Sequence, residues 1–512
     1  MKESVAVLDF GSQYAQLIAR RIRELGVYCE ILRHDITRDE LVSKSPKALV
    51  FSGGPASVLN KDHPEVDPGV FDMGIPILCI CYGMQLTALM LKGKIAGGKS
   101  GEYGHAVMEI VKPSILFSGM GKHLDVWMSH GDRVQELPPG FEVIASSPGC
   151  EIAAMADPSR NIYGVQFHPE VVHTPKGSQI IKNFLYKVAG CSGSWTMAGF
   201  IEESVERIRD TVRDERVICA LSGGVDSAVT AALVGRAIRD NMIAIFVDNG
   251  LMRSGEADEI RYIFTKEYPL NIHMVDASKE FLDALRGVID PEKKRKIIGK
   301  TFIDIFSREA KKVGGAKFLA QGTLYPDVIE SRSPRGGPSA TIKSHHNVGG
   351  LPKDMKFKLL EPLKELFKDE VRQLGKELGL PERLLKRQPF PGPGLAVRIL
   401  GEVTEEGLSI LREADLKIQE EMQGYDNIDD VWQSFAVLLP VKSVGVMGDE
   451  RTYSNVVAIR VVTSLDGMTA DWVRLPYDVL EAISSRIINE VRGVNRVVYD
   501  ISTKPPSTIE WE

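Results

Sequence analysis

The sequence reads as an α/β chain, with two successive domains on mostly parallel sheets and then a smaller α+β domain. Three observations carry this reading. Short apolar runs alternate with amphipathic segments up to about residue 190, and the alternation starts afresh at Val217. A small-residue stretch, Ala189-Gly190-Cys191-Ser192-Gly193-Ser194, separates the two series. A proline-rich stretch, Gln388-Pro389-Phe390-Pro391-Gly392-Pro393-Gly394, ends the second, and beyond it two strand-like runs precede one helical run.

Taken in order, residues 5–10, 48–51 and 77–81 are apolar enough to be buried strands. Between the first two, Leu17, Ile18, Ile22 and Leu25 mark one face of a helix over 13–25, stopped by Gly26. The second series opens with a strand over 217–221, a helix over 228–238 and a strand over 242–247. The last part has strands expected at 435–439 and 456–462 and a helix at 479–491. A length of 512 residues exceeds what one core organises. The expected domains are 1–190, 191–387 and 388–512.

Net charge is −6, with 43% hydrophobic and 26% charged residues, which argues against a general binder of nucleic acid or membrane surface. No apolar stretch is long enough for a signal peptide or a membrane span. The six cysteines form no regular framework and no CxxC pair, which fits a reducing cytoplasm. None lies after Cys219, so the chemistry of the second half does not use a thiol.

Cys81 stands at the end of a strand and just before a helix, an elbow that exposes a nucleophile and favours its thiolate. Gln166-Phe167-His168-Pro169-Glu170 offers an imidazole and a carboxylate to orient it. Ser52-Gly53-Gly54-Pro55 offers unshielded amides suited to an oxyanion. Singly, each is an ordinary turn or a buried thiol. With Asp9-Phe10-Gly11-Ser12-Gln13 they form an ordered set that resembles the class I glutamine amidotransferases over residues 4–190. Cys79 stands where many members carry glycine. The resemblance implies that Cys81 attacks the glutamine amide, His168 shuttles the proton, Glu170 orients His168, and Gly53, Gly54 and Gln85 serve the oxyanion and the glutamine. Gly93-Lys94-Ile95-Ala96-Gly97-Gly98-Lys99-Ser100 has Walker A spacing, but it follows a helix and does not open one. It is expected to be a loop that binds no ATP.

Ser222-Gly223-Gly224-Val225-Asp226-Ser227 follows a strand and opens a helix, the context a phosphate loop needs. A plain turn with Ser or Asp as helix cap is the alternative. The loop carries Asp226 in place of a lysine, and a carboxylate beside a pyrophosphate calls for Mg2+ between them. Asp327 and Glu330, three apart, supply two more carboxylates on one face if helical.

The loop resembles that of the N-type ATP pyrophosphatases, which implies ATP contacts from Ser222 through Ala228 and from Val247 and Leu251. The whole chain, with Lys504-Pro505-Pro506-Ser507-Thr508-Ile509-Glu510-Trp511-Glu512 at its end, is similar to the GMP synthetase family. That resemblance implies conversion of XMP, ATP, glutamine and water to GMP, AMP, pyrophosphate and glutamate through an adenylyl-XMP intermediate. It implies XMP contacts from Arg295, Gln433, Asp449, Lys504, Ile509 and Glu510, and a lid bearing Lys353, Lys356 and Lys358. It also implies a homodimer through the C-terminal domain. A different acceptor for the same chemistry, or a silent nucleotide-binding regulator, are the competing readings. Lys504-Pro505-Pro506 stiffens the tail, and Trp511 is expected to be buried.

Overall fold

The computed structural model describes residues 3–332, 357–447, 450–464, 467 and 469–512. It divides into two compact units, Met1–Gly199 and Phe200–Glu512.

The first unit is built on one nine-stranded sheet in the order β2-β1-β3-β4-β9-β8-β7-β5-β6. Here β1 is Ser4–Asp9, β2 Tyr28–Arg33, β3 Ala48–Phe51, β4 Ile77–Ile80, β5 Lys94–Ile110, β6 His123–Glu136, β7 Glu142–Ser146, β8 Ala154–Asp157 and β9 Ile162–Val165. β2, β1, β3, β4 and β9 pair parallel, as the strand–helix alternation implies. The remaining pairs are antiparallel. The helix after β1 spans Ala15–Glu24 and buries Ala15, Ile18, Ala19 and Ile22. The stripe is completed by alanines, while Leu17 and Leu25 are only half-buried.

The segment with Walker spacing is not a loop. From Lys94 it is the start of β5, held in register by Ile95↔Val134 and Gly97↔Asp132. Cross-strand pairing supplies hydrogen bonds that a glycine-rich composition does not advertise.

The second unit contains two sheets. β10 (Arg216–Leu221), β11 (Met242–Asp248), β12 (Ile272–Asp276), β13 (Ala316–Ala320) and β14 (Lys358–Leu360) lie in the order β12-β11-β10-β13-β14, all parallel. β15 (Gln433–Met447), β16 (Glu450–Thr463) and β17 (Asp471–Trp472) pair antiparallel, and β18 (Val494–Tyr499) joins β16 parallel. The helices Glu405–Gln423 and Tyr477–Glu490 accompany this sheet. Buried residues from Ile218 to Val494 form one continuous core, and the proline-rich stretch lies within its span. Trp511 is 37% exposed rather than buried, because its indole Nε1 donates to the Asp500 carboxylate (2.9 Å) at the surface.

Candidate active sites

In the first unit β1, β3, β4 and β9 are adjacent and parallel, so the loops after them open along one edge of the sheet. The strand order reverses between β1 and β3, where a parallel sheet leaves a crevice beyond its strand ends. The four motifs read from the sequence occupy these loops. Cys81 follows β4 with φ 50° and ψ −105°, a left-handed conformation that costs a non-glycine residue about 1–3 kcal/mol. The chain is held there by the Cys81 amide donating to Val165 O (2.8 Å) and by Met84 and Gln85 amides donating to Cys81 O. Gly83 allows the elbow to seat, since a Cβ there would stand 2.6 Å from Cβ of Phe51.

Cys81 Sγ lies 3.6 Å from both Ser129 O and Gln166 Nε2, and the His168 imidazole stands beside it. His168 Nδ1 is 2.7 Å from Glu170 Oε1, which leaves Nε2 for the thiol. Glu170 is fully buried and its Oε2 has no partner among the described residues. Burial pulls the His168 pKa down, but the bonds and charges of Cys81 and Glu170 outweigh it and raise the pKa to about 10. Tyr14 packs edge-on to the imidazole at 5.2 Å, and Thr174 Oγ1 donates to His168 O (2.7 Å). Gly53 closes the group: a Cβ there would lie 3.1 Å from His168 Cε1 and 3.8 Å from Cys81 Cβ. Gly54 abuts Phe10 O and Tyr82. The Gln85 amide nitrogen donates to Asp132 O (2.7 Å) and Gln166 Oε1 (3.3 Å). Two residues before the nucleophile, Cys79 is fully buried beside Thr87, and burial pushes its thiol up to about 12. One thiol faces a base and the other is inert.

In the second unit β10 is central, and the order reverses between β10 and β13. The loop from Ser222 follows β10, and the helix Val225–Ile238 starts three residues earlier than the apolar pattern suggested. Its cap is Gly224, with no side-chain capping bond, so neither Ser nor Asp is the cap. The serines bind each other instead, Ser222 Oγ to Ser227 Oγ at 3.1 Å. Gly223 has φ 82°, and a Cβ there would stand 2.6 Å from Ile260 Cδ1. Its carbonyl accepts from Arg387 Nη1 (3.0 Å), whose Nη2 is paired with Glu259. Val247 is the last residue but one of β11 and, like Ala228 and Leu251, is buried.

Asp226 is paired with the Lys368 ammonium at 2.5 Å. Asp327 lies on the helix Tyr325–Arg332 that follows β13, where its carboxylate accepts from Leu324 N (3.1 Å). Glu330 shares that helix, but its side chain lies outside the described residues. No three acidic, histidine or cysteine side chains gather as a metal site among the described residues. The chemistry of the donors nonetheless suits Mg2+: they are hard carboxylate oxygens, and Asp226 already faces a cation.

Of the residues expected around XMP, Arg295 Nη2 donates to the Glu512 main-chain oxygen, and Gln433 Nε2 donates to Pro389 O. Lys504 Nζ donates to Gly467 O (2.8 Å), and its backbone bridges Ala470. Ile509 packs on Phe435, Val437 and Ala458. Glu510 binds Arg398 through both oxygens. Asp449, Lys353 and Lys356 lie outside the described residues, and Lys358 opens edge strand β14. Sequence reasoning missed Gln166, Lys368, Arg387 and Arg398 as supports. Arg387 and Arg398 flank the proline-rich stretch, which was a usable signal; nothing local marked Lys368.

By fold and site the chain is a class I glutamine amidotransferase joined to an α/β half with a glycine loop at its switch point. Family models agree: glutamine amidotransferase class-I matches residues 6–188, NAD synthase 198–297 and the GMP synthase C terminal domain 420–511. GMP synthase [glutamine-hydrolyzing] of Caldicellulosiruptor saccharolyticus is 57% identical over 511 residues, covering 100% of this chain and 99% of that protein. The protein of that name from Carboxydothermus hydrogenoformans is 57% identical over 512 residues and 100% of both chains. Among solved structures, a glutamine amidotransferase from Thermotoga maritima is 18% identical with TM-score 0.31, covering 37% of this chain and 99% of that one. The chain belongs to the glutamine-hydrolysing GMP synthase family.

Proposed function

We propose that this protein makes GMP from XMP, ATP, glutamine and water, releasing AMP, pyrophosphate and glutamate. The observation that carries the reading is the pairing, in a chain alike end to end to GMP synthases, of the Cys81–His168–Glu170 group with the Ser222–Ser227 loop. Cys81 Sγ attacks the side-chain amide carbon of glutamine, and His168, oriented by Glu170, passes the proton to the departing ammonia. Water then frees glutamate from Cys81. In the second unit XMP O2 attacks the α-phosphorus of ATP, and ammonia displaces AMP from the adenylyl-XMP formed. Amides of Ser222–Ser227 hold the departing pyrophosphate.

Asp226 and Asp327, with Glu330 on the same helix, would hold Mg2+. That ion supplies charge neutralisation of the pyrophosphate when bound. Residues 1–190 are the glutaminase part, 191–387 the adenylating part and 388–512 the XMP-binding and dimerisation part. Lys353, Lys356 and Lys358 reach the phosphates from a lid, and Arg295, Gln433, Asp449, Lys504, Ile509 and Glu510 border XMP. No helix among the described residues is long and apolar enough to cross a membrane, in keeping with a cytoplasmic place for the enzyme. The test supplies XMP, ATP, Mg2+ and glutamine and follows nucleotides by chromatography. GMP and AMP are expected. ADP in place of AMP, or turnover that ignores XMP, would overturn the reading.

A further inference from the structure

Arg398 is wholly buried, yet its charge is met by one carboxylate, that of Glu510. Its Nε and Nη2 bind Glu510 Oε2 (3.1 Å) and Oε1 (2.8 Å), while Nη1 is buried with no acceptor among the described residues. The guanidinium lies 3.9 Å from the ring centre of Phe435 and 5.1 Å from that of Phe390. The turn Gly394–Arg398 that carries it is itself pinned. Lys294, also wholly buried, donates to Ala396 O (3.1 Å) and Ile399 O (2.6 Å) on either side of Arg398.

Other cations hold the chain on both flanks of Glu510. Arg460 Nη2 donates to Thr508 O (3.2 Å), and Lys294 binds Glu512 Oε2 at 2.5 Å. The tail therefore keeps its path without Arg398. What Arg398 alone supplies is the plane and rotamer of one carboxylate. A bidentate guanidinium fixes both, and it leaves each oxygen a further lone pair for a second donor. Glu510 is part-exposed, its side chain 18% accessible, so such a donor can reach it.

We propose that Arg398 is the positioning residue of the acceptor-nucleotide site. It holds the Glu510 carboxylate so that a hydroxyl or ring N–H of XMP donates to an acceptor already in place. The proposal rests on the reading above that residues 504–510 border XMP. Two neighbouring rings and a fork of donors make lysine a poor substitute here, because an ammonium is a point charge that cannot lock a carboxylate plane.

The test is steady-state kinetics with ammonia as nitrogen source on Arg398→Lys, Glu510→Gln and the double variant, with thermal melting as a control for folding. Arg398→Lys should raise the KM for XMP about tenfold, the worth of one charge-assisted bond. The kcat, the KM for ATP and glutamine hydrolysis should stay within about twofold, and the double variant should be no worse than Glu510→Gln, as coupling requires. An XMP KM that rises in Glu510→Gln but not in Arg398→Lys overturns the proposal. So does a fall in kcat with the XMP KM unmoved, the mark of a merely structural role. So does a double variant showing the product of the single effects, since Arg398 then acts elsewhere than through Glu510. If neither single variant moves the XMP KM, the placement of XMP at the tail fails with it. Should Arg398→Lys not fold, Phe390→Leu, which keeps the charge and removes one of the two rings beside the guanidinium, must raise the XMP KM severalfold; no rise overturns the proposal.

Discussion

The Cys81 elbow and the Ser222–Ser227 loop solve the same geometric problem in opposite ways. Each joins the end of a parallel strand to the start of a helix, the loop at the point where the strand order reverses and the elbow one strand away from it. Each needs one residue at positive φ: 50° at Cys81 and 82° at Gly223. The elbow puts a functional side chain at that strained position and accepts the cost, because a nucleophile must be a side chain aimed at one point. The Ser222–Ser227 loop puts glycine there, because the groups proposed to hold the pyrophosphate are backbone amides and a side chain would cover them. Strain marks the site that aims one atom, and glycine the site that offers many.

The comparison can be broken hardest at the nucleophile. Cys81→Ala keeps the backbone but removes the only attacking atom, so glutamine-dependent synthesis should fall on the order of a thousandfold or more. Synthesis from an ammonium salt should remain largely intact. Equal loss with both nitrogen sources would show that the elbow does more than feed ammonia. At the nucleotide loop, Gly223→Ala imposes a Cβ at positive φ and 2.6 Å from Ile260 Cδ1. ATP use should drop roughly a hundredfold with either nitrogen source, on the order of the 3 kcal/mol that such strain reaches. Glutamine hydrolysis by the first unit should persist. A variant with normal pyrophosphate release would mean that this glycine is a convenience of the turn.

The smallest effect sharpens the elbow's side of the comparison. The folded pKa of His168, about 10, lies above its unfolded value near 6.5. Its contribution to stability is therefore complete below pH about 6.5 and erodes as pH rises through about 10. Wild-type protein should lose more stability than His168→Gln between pH 6.5 and 9.5 in urea unfolding. The difference is bounded by one proton's linkage, about 1.4 kcal/mol per pH unit. Identical pH slopes for the two proteins would show that the imidazole is not charged in the fold.

The two sites were legible in the sequence to different depths. Strand, elbow and helix around Cys81 could be read because buried parallel strands are short continuous apolar runs. His168 and Glu170 could be read because they stand two positions apart. The supports could not be read so. Gln166 reaches the thiol from the end of β9 and Ser129 from within β6, and Lys368 reaches Asp226 across 142 residues of sequence. The long pair β5 and β6 was also missed. β6 alternates buried and exposed positions from His123 to Met128, the pattern of a strand wet on one face. β5 opens with glycines that suggest a loop. Local chemistry leaves a trace in one sequence, whereas packing between distant segments does not.

The continuous core of the second unit sets how this protein comes apart. Ile218 and Leu319 in the parallel sheet share one apolar interior with Ile459 and Ile487 beside the antiparallel one. A chain cut near Gln388 would open that interior to water on both fragments. Residues 200–512 should therefore melt as one calorimetric event, with equal van't Hoff and calorimetric enthalpies. The two sheets of this unit share a single unfolding free energy. A substitution that destabilises the antiparallel sheet will lower the population with an intact Ser222–Ser227 loop as well, and evolution can exchange neither part alone.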